Sequence, residues 1–325
     1  MKGIRLFCVI TALALFVLFG AALAQDKYPT RPIELVVPFA PGGTADVGVR
    51  SYSDNLSKLL GVPVNVVNRA GGTGIQGTAY VARGKKDGYT VLATTDTPLL
   101  VMPVISSKEV SYDPLKDFVP IGYFGYAPSI FAVRSDSPFK TLADLIDYAR
   151  KNPGKLKNAS TGLGAEARFN LDLLCHKENI KIPSIPFESG GQAVTALLGG
   201  HTDMSSNSLA SLSPHLKAGK IRGLAISMKT RHPEFPDIPT TGELKYPDVN
   251  FVVWLAVFVP TGVPKQVVDT LIPAVEKAFK APEVIQRGSN AGLIIEYMGP
   301  DETRKLMENG LQLVKQVAAE AGLIK

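Results

Sequence analysis

Residues 33–46 read I-E-L-V-V-P-F-A-P-G-G-T-A-D. The run Ile33–Val37 is short, apolar and β-branched, which is typical of a buried parallel strand. Prolines and glycines end it at once, and Thr44 and Asp46 favour the first turn of a helix. The unpaired N–H groups and positive dipole end of such a helix predict an anion site. The pattern alone equally fits an ordinary strand-to-helix turn.

A second turn of this kind follows the predicted strand at residues 64–67. Residues 72–77 read G-T-G-I-Q-G, the G-x-G-x-x-G pattern of dinucleotide sites, which also needs an acidic residue about 20 positions later. Asp87 and Asp96 are the candidates, but Asp87 belongs to the turn K-K-D-G-Y. We therefore interpret the glycines as a second wall beside the first turn.

Three further strand ends carry polar or glycine-rich turns. The strand at 90–93 runs into Thr94-Thr95-Asp96-Thr97, at the strand end where open α/β sheets place ligand contacts. Thr97 before Pro98 could instead cap a helix. Residues 156–164 repeat the opening pattern before a helix starting at Ala165, and 182–191 repeat it before a helix at 192–198.

The chain begins with the features of a secretory signal peptide. Lys2 and Arg5 precede an apolar run, and Ala22-Leu23-Ala24 is a small-residue cleavage site, so residues 1–24 should be removed before Gln25. An uncleaved membrane anchor is the alternative, since the run could almost span a bilayer. Cleavage would leave an exported protein of about 300 residues with Cys175 alone and no internal disulfide.

Strands and helices alternate through the whole chain, interrupted by two long extended segments at 118–133 and 249–259. This order predicts an α/β fold of two doubly wound lobes joined by two crossing strands. Lobe 1 would comprise residues 25–126 and 251–325, and lobe 2 residues 127–250. The facing strand ends would form a cleft that closes on a ligand.

The sequence favours binding over catalysis. A net charge of +6 without basic runs argues against nucleic-acid binding. The four histidines have no metal-site spacing, and no nucleophile elbow or phosphate loop occurs. Asp46, Asp96 and Glu166 could act as bases, but each lies at a turn or helix start, where capping is the common role. We predict no catalytic residue, metal ligand or cofactor.

Several motifs resemble one family of receptors. They are V-V-P-F-A-P-G-G-T-A-D at Val36, V-N-R-A-G-G-T-G at Val67, Y-D-P-L-K-D-F at Tyr112, N-A-S-T-G-L-G at Asn158 and S-G-G-Q-A-V-T-A-L-L-G-G at Ser189. In this order and spacing they are similar to the tripartite tricarboxylate transporter substrate-binding proteins, also called the Bug family of periplasmic solute receptors. The similarity covers essentially the whole mature chain.

The resemblance implies a periplasmic-binding-protein type II architecture with a small carboxylate held between the lobes, which would be a di- or tricarboxylate, an amino acid or an aromatic acid. It also implies delivery to a membrane transporter, or to a sensor, by a protein expected to be a monomer. Loops 41–46 and 160–165 would grip the carboxylate through backbone amides and water. The chain departs from the family in having Phe187-Glu188-Ser189-Gly190 for Y-K-G-G and M-S-S-N-S after Asp203.

The candidate ligand-binding residues are therefore Pro41, Gly42, Gly43, Thr44, Asp46, Thr95, Asp96, Ser160, Thr161, Gly164, Ala165 and Asn207. We expect Gly43 to matter most in the first loop, because glycine lacks a Cβ and permits positive φ. Arg69 or Arg168 would replace the amides if a cationic side chain held the ligand. The alternatives to a receptor are an exported enzyme with Asp46 or Glu166 as base, and a dinucleotide-dependent oxidoreductase.

Overall fold

The computed structural model describes residues 28–161, 166–320 and 324. The predicted signal peptide and two candidate site residues, Gly164 and Ala165, lie outside the described residues. None of the helices within the described ranges is both long and apolar enough to cross a membrane.

Strands and helices alternate as predicted. In chain order they are β1 (Ile33–Val37), α1 (Thr44–Leu60), β2 (Val64–Asn68), α2 (Ile75–Arg83), β3 (Thr90–Thr95), α3 (Met102–Ile105), β4 (Phe118–Arg134), α4 (Leu142–Lys151), β5 (Asn158–Ser160), α5 (Glu166–Glu178), β6 (Ser184–Pro186), α6 (Gly190–Leu198), β7 (Met204–Ser208), α7 (Leu209–Lys217), β8 (Ile221–Ile226), β9 (Val252–Pro260), α8 (Lys265–Phe279), α9 (Pro282–Asn290), β10 (Ile294–Met298) and α10 (Pro300–Glu320). A short 3-10 turn at Gly72–Gly74 precedes α2, and a π-helical turn at Thr97–Val101 follows β3.

The strands form two groups that share β4. The first group has the order β2-β1-β3-β9-β4, in which β1, β2 and β3 are parallel and β9 is antiparallel to both neighbours. The second group contains β7, β8, β5 and β6. Strand β4 pairs with β9 up to Pro128 and with β7 from Ser129. Because β4 changes its neighbour between Pro128 and Ser129, the chain first passes from one strand group to the other at these two residues.

Helices cover both faces of each strand group, as a doubly wound fold requires. Along β1, Leu35 packs in one core with α1 and α8, whereas Val36 packs in another with α2 and α10. Along β4, Phe131 packs with α4 and α5, and Ile130 packs with α6 and α7. This alternation follows from the two-residue period of a strand.

The second crossing is the extended chain just before β9. Asn170 on α5 holds it, because its amide donates to the Phe251 carbonyl (2.8 Å) and its amide oxygen accepts from the Phe251 N–H (3.0 Å). The same side chain donates to the Ser129 hydroxyl on β4 (2.6 Å). One buried amide therefore ties both crossing segments together. The predicted lobe boundaries near residues 126 and 250 stay a prediction.

Candidate functional site

A cavity of about 910 Å³ lies between the two strand groups. Its first wall comes from the turn before α1, the glycine turn before α2 and the segment after β3, and its second wall from the starts of α5, α6 and α7. The polar and glycine residues that matter below are Gly43, Thr44, Gly71, Gly72, Gly74, Thr95, Thr97, Thr161, Glu166, Ser189, Gly190, Asn207 and Ser208.

The start of α1 supplies free backbone donors. The first hydrogen bond of the helix runs from the Val47 N–H to the Gly43 carbonyl (2.9 Å). The N–H groups of Thr44 and Ala45 precede it and therefore have no acceptor within the helix. No side chain caps this helix. Because both residues line the cavity, their donors and the helix dipole favour an anion there.

The positive φ of this turn belongs to Gly42 rather than to Gly43. Gly42 has φ +80°, whereas Gly43 is extended with φ −83° and ψ 171°. A Cβ at Gly43 would make only ordinary contacts, the nearest 3.6 Å from the Ala40 carbonyl oxygen. The expectation that Gly43 needs positive φ is therefore wrong. The residue of this turn that has positive φ is Gly42.

Asp46 holds the turn in shape from behind. Its carboxylate accepts from the Gly42 N–H (3.0 Å), from Arg50 Nε (2.9 Å) and from Asn68 Nδ2 (3.0 Å). Burial alone would raise the pKa of Asp46, but these hydrogen bonds outweigh it and lower the pKa below the usual range. Asp46, Gly42 and Pro41 are not among the residues that line the cavity, and whether they contact a ligand stays a prediction.

We expect Asp46→Asn to destabilise the protein by about 1–3 kcal/mol, because a buried carboxylate that accepts three hydrogen bonds is replaced by an amide. The folded pKa is lower than the unfolded value of about 3.9, so this stabilisation is complete above that pH and is lost as pH falls through the folded pKa. We would measure the free energies of unfolding of the wild-type protein and of Asp46→Asn from pH 7 downward. The difference between them should stay constant to about pH 4 and shrink below that pH.

The control for this substitution is Asp54→Asn, on the exposed side of the same helix. It should change stability by less than about 0.5 kcal/mol at all pH values. An equal effect from both substitutions would contradict the assigned role of Asp46.

The start of α6 lies close to the glycine turn that precedes α1. Ser189 caps this helix, its hydroxyl accepting from the Gln192 N–H (3.3 Å). A Cβ on Gly42 would lie 3.7 Å from the Gly191 Cα, and one on Gly190 would overlap the Ser211 side chain. The two strand groups thus approach through glycine backbone.

A buried acid pair joins the two walls. Asp96, at the end of β3, is hydrogen-bonded to Glu166, the first residue of α5. Thr97 Oγ1 donates to Glu166 Oε1 (3.0 Å) and does not cap the following helical turn. Burial, and then the Glu166 charge, raise the pKa of Asp96 well above its usual range. Burial also raises the pKa of Glu166, partly offset by its hydrogen bonds. The pair therefore links the end of β3 to the start of α5 through a direct hydrogen bond between the two side chains.

The other candidate residues are placed at different depths. Thr95 and Thr161 line the cavity, and the hydroxyl of Ser160, next to Thr161, is buried with no hydrogen-bond partner among the described residues. Asn207 lines it with its amide donating to the Gly190 carbonyl (3.4 Å) and accepting from the Ser208 N–H (2.8 Å). Whether these residues contact a ligand stays a prediction.

Both arginines named as alternative anion clamps are paired with carboxylates. Arg168 Nε lies 2.8 Å and 2.7 Å from the two carboxylate oxygens of Asp172. Arg69 bonds Glu34 (3.1 Å) and stacks over a tyrosine ring. Arg168 lines the cavity, but its charge is matched, which leaves the helix start as the unmatched positive end.

The glycine turn before α2 is a wall of the cavity, as expected. Gly71, Gly72 and Gly74 line it, and all three have positive φ. Asp87, the acidic residue considered for a ribose, lies at the surface, where its carboxylate accepts from Arg31 (3.0 Å) and the Tyr89 N–H (3.1 Å). The Asp87 carboxylate therefore stabilises the turn in which it lies.

Sequence reasoning left Thr97, Glu166 and Ser189 out of the candidate site. Each lies where a strand ends or a helix begins, and that signal could have found them. What the sequence could not indicate is which helix starts face each other. Within the described residues, no group of three or more His, Cys, Asp or Glu side chains could hold a metal ion.

Comparison with known proteins identifies the family. A family model described as "Tripartite tricarboxylate transporter family receptor" matches residues 49–323. The chain belongs to this family of receptors. The family comprises periplasmic solute-binding proteins and not enzymes, and its known members share the two-group α/β fold described above.

Three relatives show how similar this receptor is to other members. Protein BugT of Bordetella pertussis is 31% identical over 322 residues, covering 99% of both chains. The structure of Rhodopseudomonas palustris Rpa4515 with adipate has a TM-score of 0.84 and 29% identity, covering 91% of this chain and 98% of that one. The structure of MatC from the same organism, with bound malate, has a TM-score of 0.81 and 27% identity, covering 89% and 99%.

Proposed function

We propose that this receptor captures a small carboxylate in the cavity between the two strand groups and passes it to a membrane transporter of the tripartite tricarboxylate type. The observation that carries the proposal is the uncapped start of α1, whose N–H groups open into the cavity where no unmatched cationic side chain competes for an anion. The malate and adipate in two related structures support the same ligand class.

The predicted signal peptide and the family's location support a periplasmic site of action. The arrangement of acids does not favour the enzyme alternative. Asp46 accepts three hydrogen bonds behind the turn, and Glu166 is hydrogen-bonded to Asp96 and to the Thr97 hydroxyl. The partners of Asp46 among the described residues are all N–H donors, so no hydroxyl or thiol that it could activate is bonded to it there.

The proposal predicts that small carboxylates stabilise the mature protein. A ligand at 100 times its dissociation constant adds about 2.7 kcal/mol to the free energy of unfolding, which raises the midpoint of thermal unfolding by several degrees. A thermal-shift screen of succinate, malate, glutarate, adipate, aspartate, glutamate and nicotinate would test this, with the neutral diamides of succinate and adipate as controls.

Binding should be stoichiometric by calorimetry, and NMR should show the ligand unchanged after prolonged incubation. A screen in which no carboxylate stabilises the protein would contradict the proposed function. Conversion of the ligand would favour the enzyme.

A further inference from the structure

The carboxyl groups of Asp96 and Glu166 connect the two walls of the cavity directly. Asp96 follows β3 in the first strand group and Glu166 begins α5, which packs on the second, yet the two side chains are hydrogen-bonded to each other. Thr97, beside Asp96, donates a second hydrogen bond to Glu166 Oε1 (3.0 Å). Only 7% of each acidic residue is exposed. The walls therefore meet here through a small, buried polar contact.

This contact between two carboxyl groups needs a proton. An ionised carboxylate only accepts hydrogen bonds, so one of the two groups must be protonated to donate to the other. Two carboxylates this close do not readily ionise together, because their charges repel each other. Burial, and then the charge of Glu166, raise the pKa of Asp96 well above its usual range, and burial also raises the pKa of Glu166. Loss of the shared proton would break the contact.

The doubly ionised form of the pair has no cation to stabilise it. Neither carboxyl group forms an ion pair with a Lys, Arg or His in the described parts of the chain. Residues 162–165, which precede Glu166, contain no charged side chain. The titratable group that faces Asp96 from β4 is Tyr123, and burial, with a contribution from the Asp96 charge, raises the pKa of its hydroxyl, so it stays neutral.

The charged residues of the other elements around the pair have partners of their own or are exposed. Strands β7 and β9 contain no charged residue. Arg168 of α5 pairs with Asp172, and Asp46 of α1 pairs with Arg50. Glu34 of β1 bonds Arg69, Arg304 of α10 donates to two backbone carbonyls, and Arg83, Lys108, Glu109, Glu188 and Lys305 are exposed. None of these charges takes the place of the proton between the two acids.

We propose that Asp96, Glu166 and the proton between them form a latch, which holds the cavity walls together at low pH and releases them as the pH rises. When the walls separate, water reaches both carboxyl groups, which then ionise as ordinary acids with pKa values of about 3.9 and 4.3. Closing the cavity therefore takes up about one proton at any pH between these values and the raised values of the closed form. This latch acts in the empty receptor and does not depend on which ligand the cavity takes.

The test follows the distance between the two walls in the mature protein without ligand. Spin labels at Glu109→Cys and Glu188→Cys, in a protein that also carries Cys175→Ser, place one label on each wall at exposed positions. Double electron–electron resonance then gives the ratio of closed to open molecules. Between about pH 5.5 and about pH 8.5, this ratio should fall about tenfold per pH unit over part of the range. A ratio that does not change with pH would overturn the inference.

Glu166→Gln should keep the walls together but remove the pH dependence. The amide donates to the Asp96 carboxylate without needing a proton, its oxygen still accepts from Thr97, and the net charge of the buried pair is the same. The control is Glu308→Gln, an exposed charge on α10, which should keep the wild-type pH dependence. An unchanged pH dependence in Glu166→Gln would contradict the latch, and so would a Glu166→Gln protein that is open at every pH.

Asp96→Asn makes the same change from the opposite wall and should also remove the pH dependence. It keeps the latch testable if Glu166→Gln does not fold, and circular dichroism checks the folding of each variant. A folded Asp96→Asn protein with the wild-type pH dependence would overturn the inference. Because no ligand is present, these outcomes leave the proposed function untouched, and the thermal-shift screen tests that function separately.

Discussion

Gly42→Val is expected to weaken carboxylate binding by at least about 100-fold in a protein that still folds. Gly42 has φ +80°, a conformation that is strained for a β-branched residue, so the turn must change shape. The Cβ itself would make only an ordinary contact, 3.7 Å from the Gly191 Cα, so the expected effect comes from the backbone strain. Each lost hydrogen bond to a charged ligand costs about 10- to 100-fold in affinity, and the turn positions more than one donor.

The experiment is calorimetric titration with the carboxylate that gives the largest thermal shift, after circular dichroism has confirmed folding. Gly61→Val is the matched control, because Gly61 ends the same helix with φ +70° and open space around its Cβ position. Both substitutions introduce similar backbone strain. Gly61 is remote from the residues that line the cavity, so the Gly61→Val protein should bind the carboxylate as tightly as the wild-type protein does. A folded Gly42→Val protein with wild-type affinity would show that the ligand lies elsewhere.

The second large effect concerns stability. Asn170→Ala is expected to lower the free energy of unfolding by about 2–4 kcal/mol, because it leaves the Phe251 N–H and carbonyl and the Ser129 hydroxyl without their amide partner. Ser129 retains its bond to the Ser227 hydroxyl (2.9 Å), and Phe251 is only partly buried. These two facts hold the expected loss below the sum of three buried hydrogen bonds.

Urea unfolding of the ligand-free protein measures this loss, with Asn55→Ala as control. Asn55 also makes two side-chain hydrogen bonds, to Glu283 and Arg287, but near the surface, where the change should cost less than about 1 kcal/mol. If both substitutions cost the same, the link between the crossing segments does not depend on Asn170.

Local patterns predicted most elements of the fold. The run Ile33–Val37 is a strand, and α1 begins at Thr44, as its residues indicate. At the start of α4, Thr141 and Asp144, three residues apart, form a capping box. These features depend on residues within a few positions of one another, so a sequence read locally contains the necessary information.

The candidate site was predicted only in part, because its walls come from distant parts of the chain. The sequence marked the turn before α1 and the threonines after β3, and the structure lines one cavity with residues from both. It did not indicate that Thr97 bonds Glu166, which is 69 positions away, or that Gly190 packs near the first glycine turn. Such pairings arise from the order of strands in the sheet.

The sequence by itself determined the alternation of strands and helices, the glycine turns and the family, since these follow from short-range patterns and motif order. The tertiary structure contributes to the positive φ of Gly42, because the Asp46 carboxylate that accepts the Gly42 N–H is itself held by Asn68 at the end of β2. It also decided that the carboxyl groups of Asp96 and Glu166 are hydrogen-bonded to each other. Their pKa values depend on burial and mutual distance, and neither is set until β3 and α5 meet across the cavity.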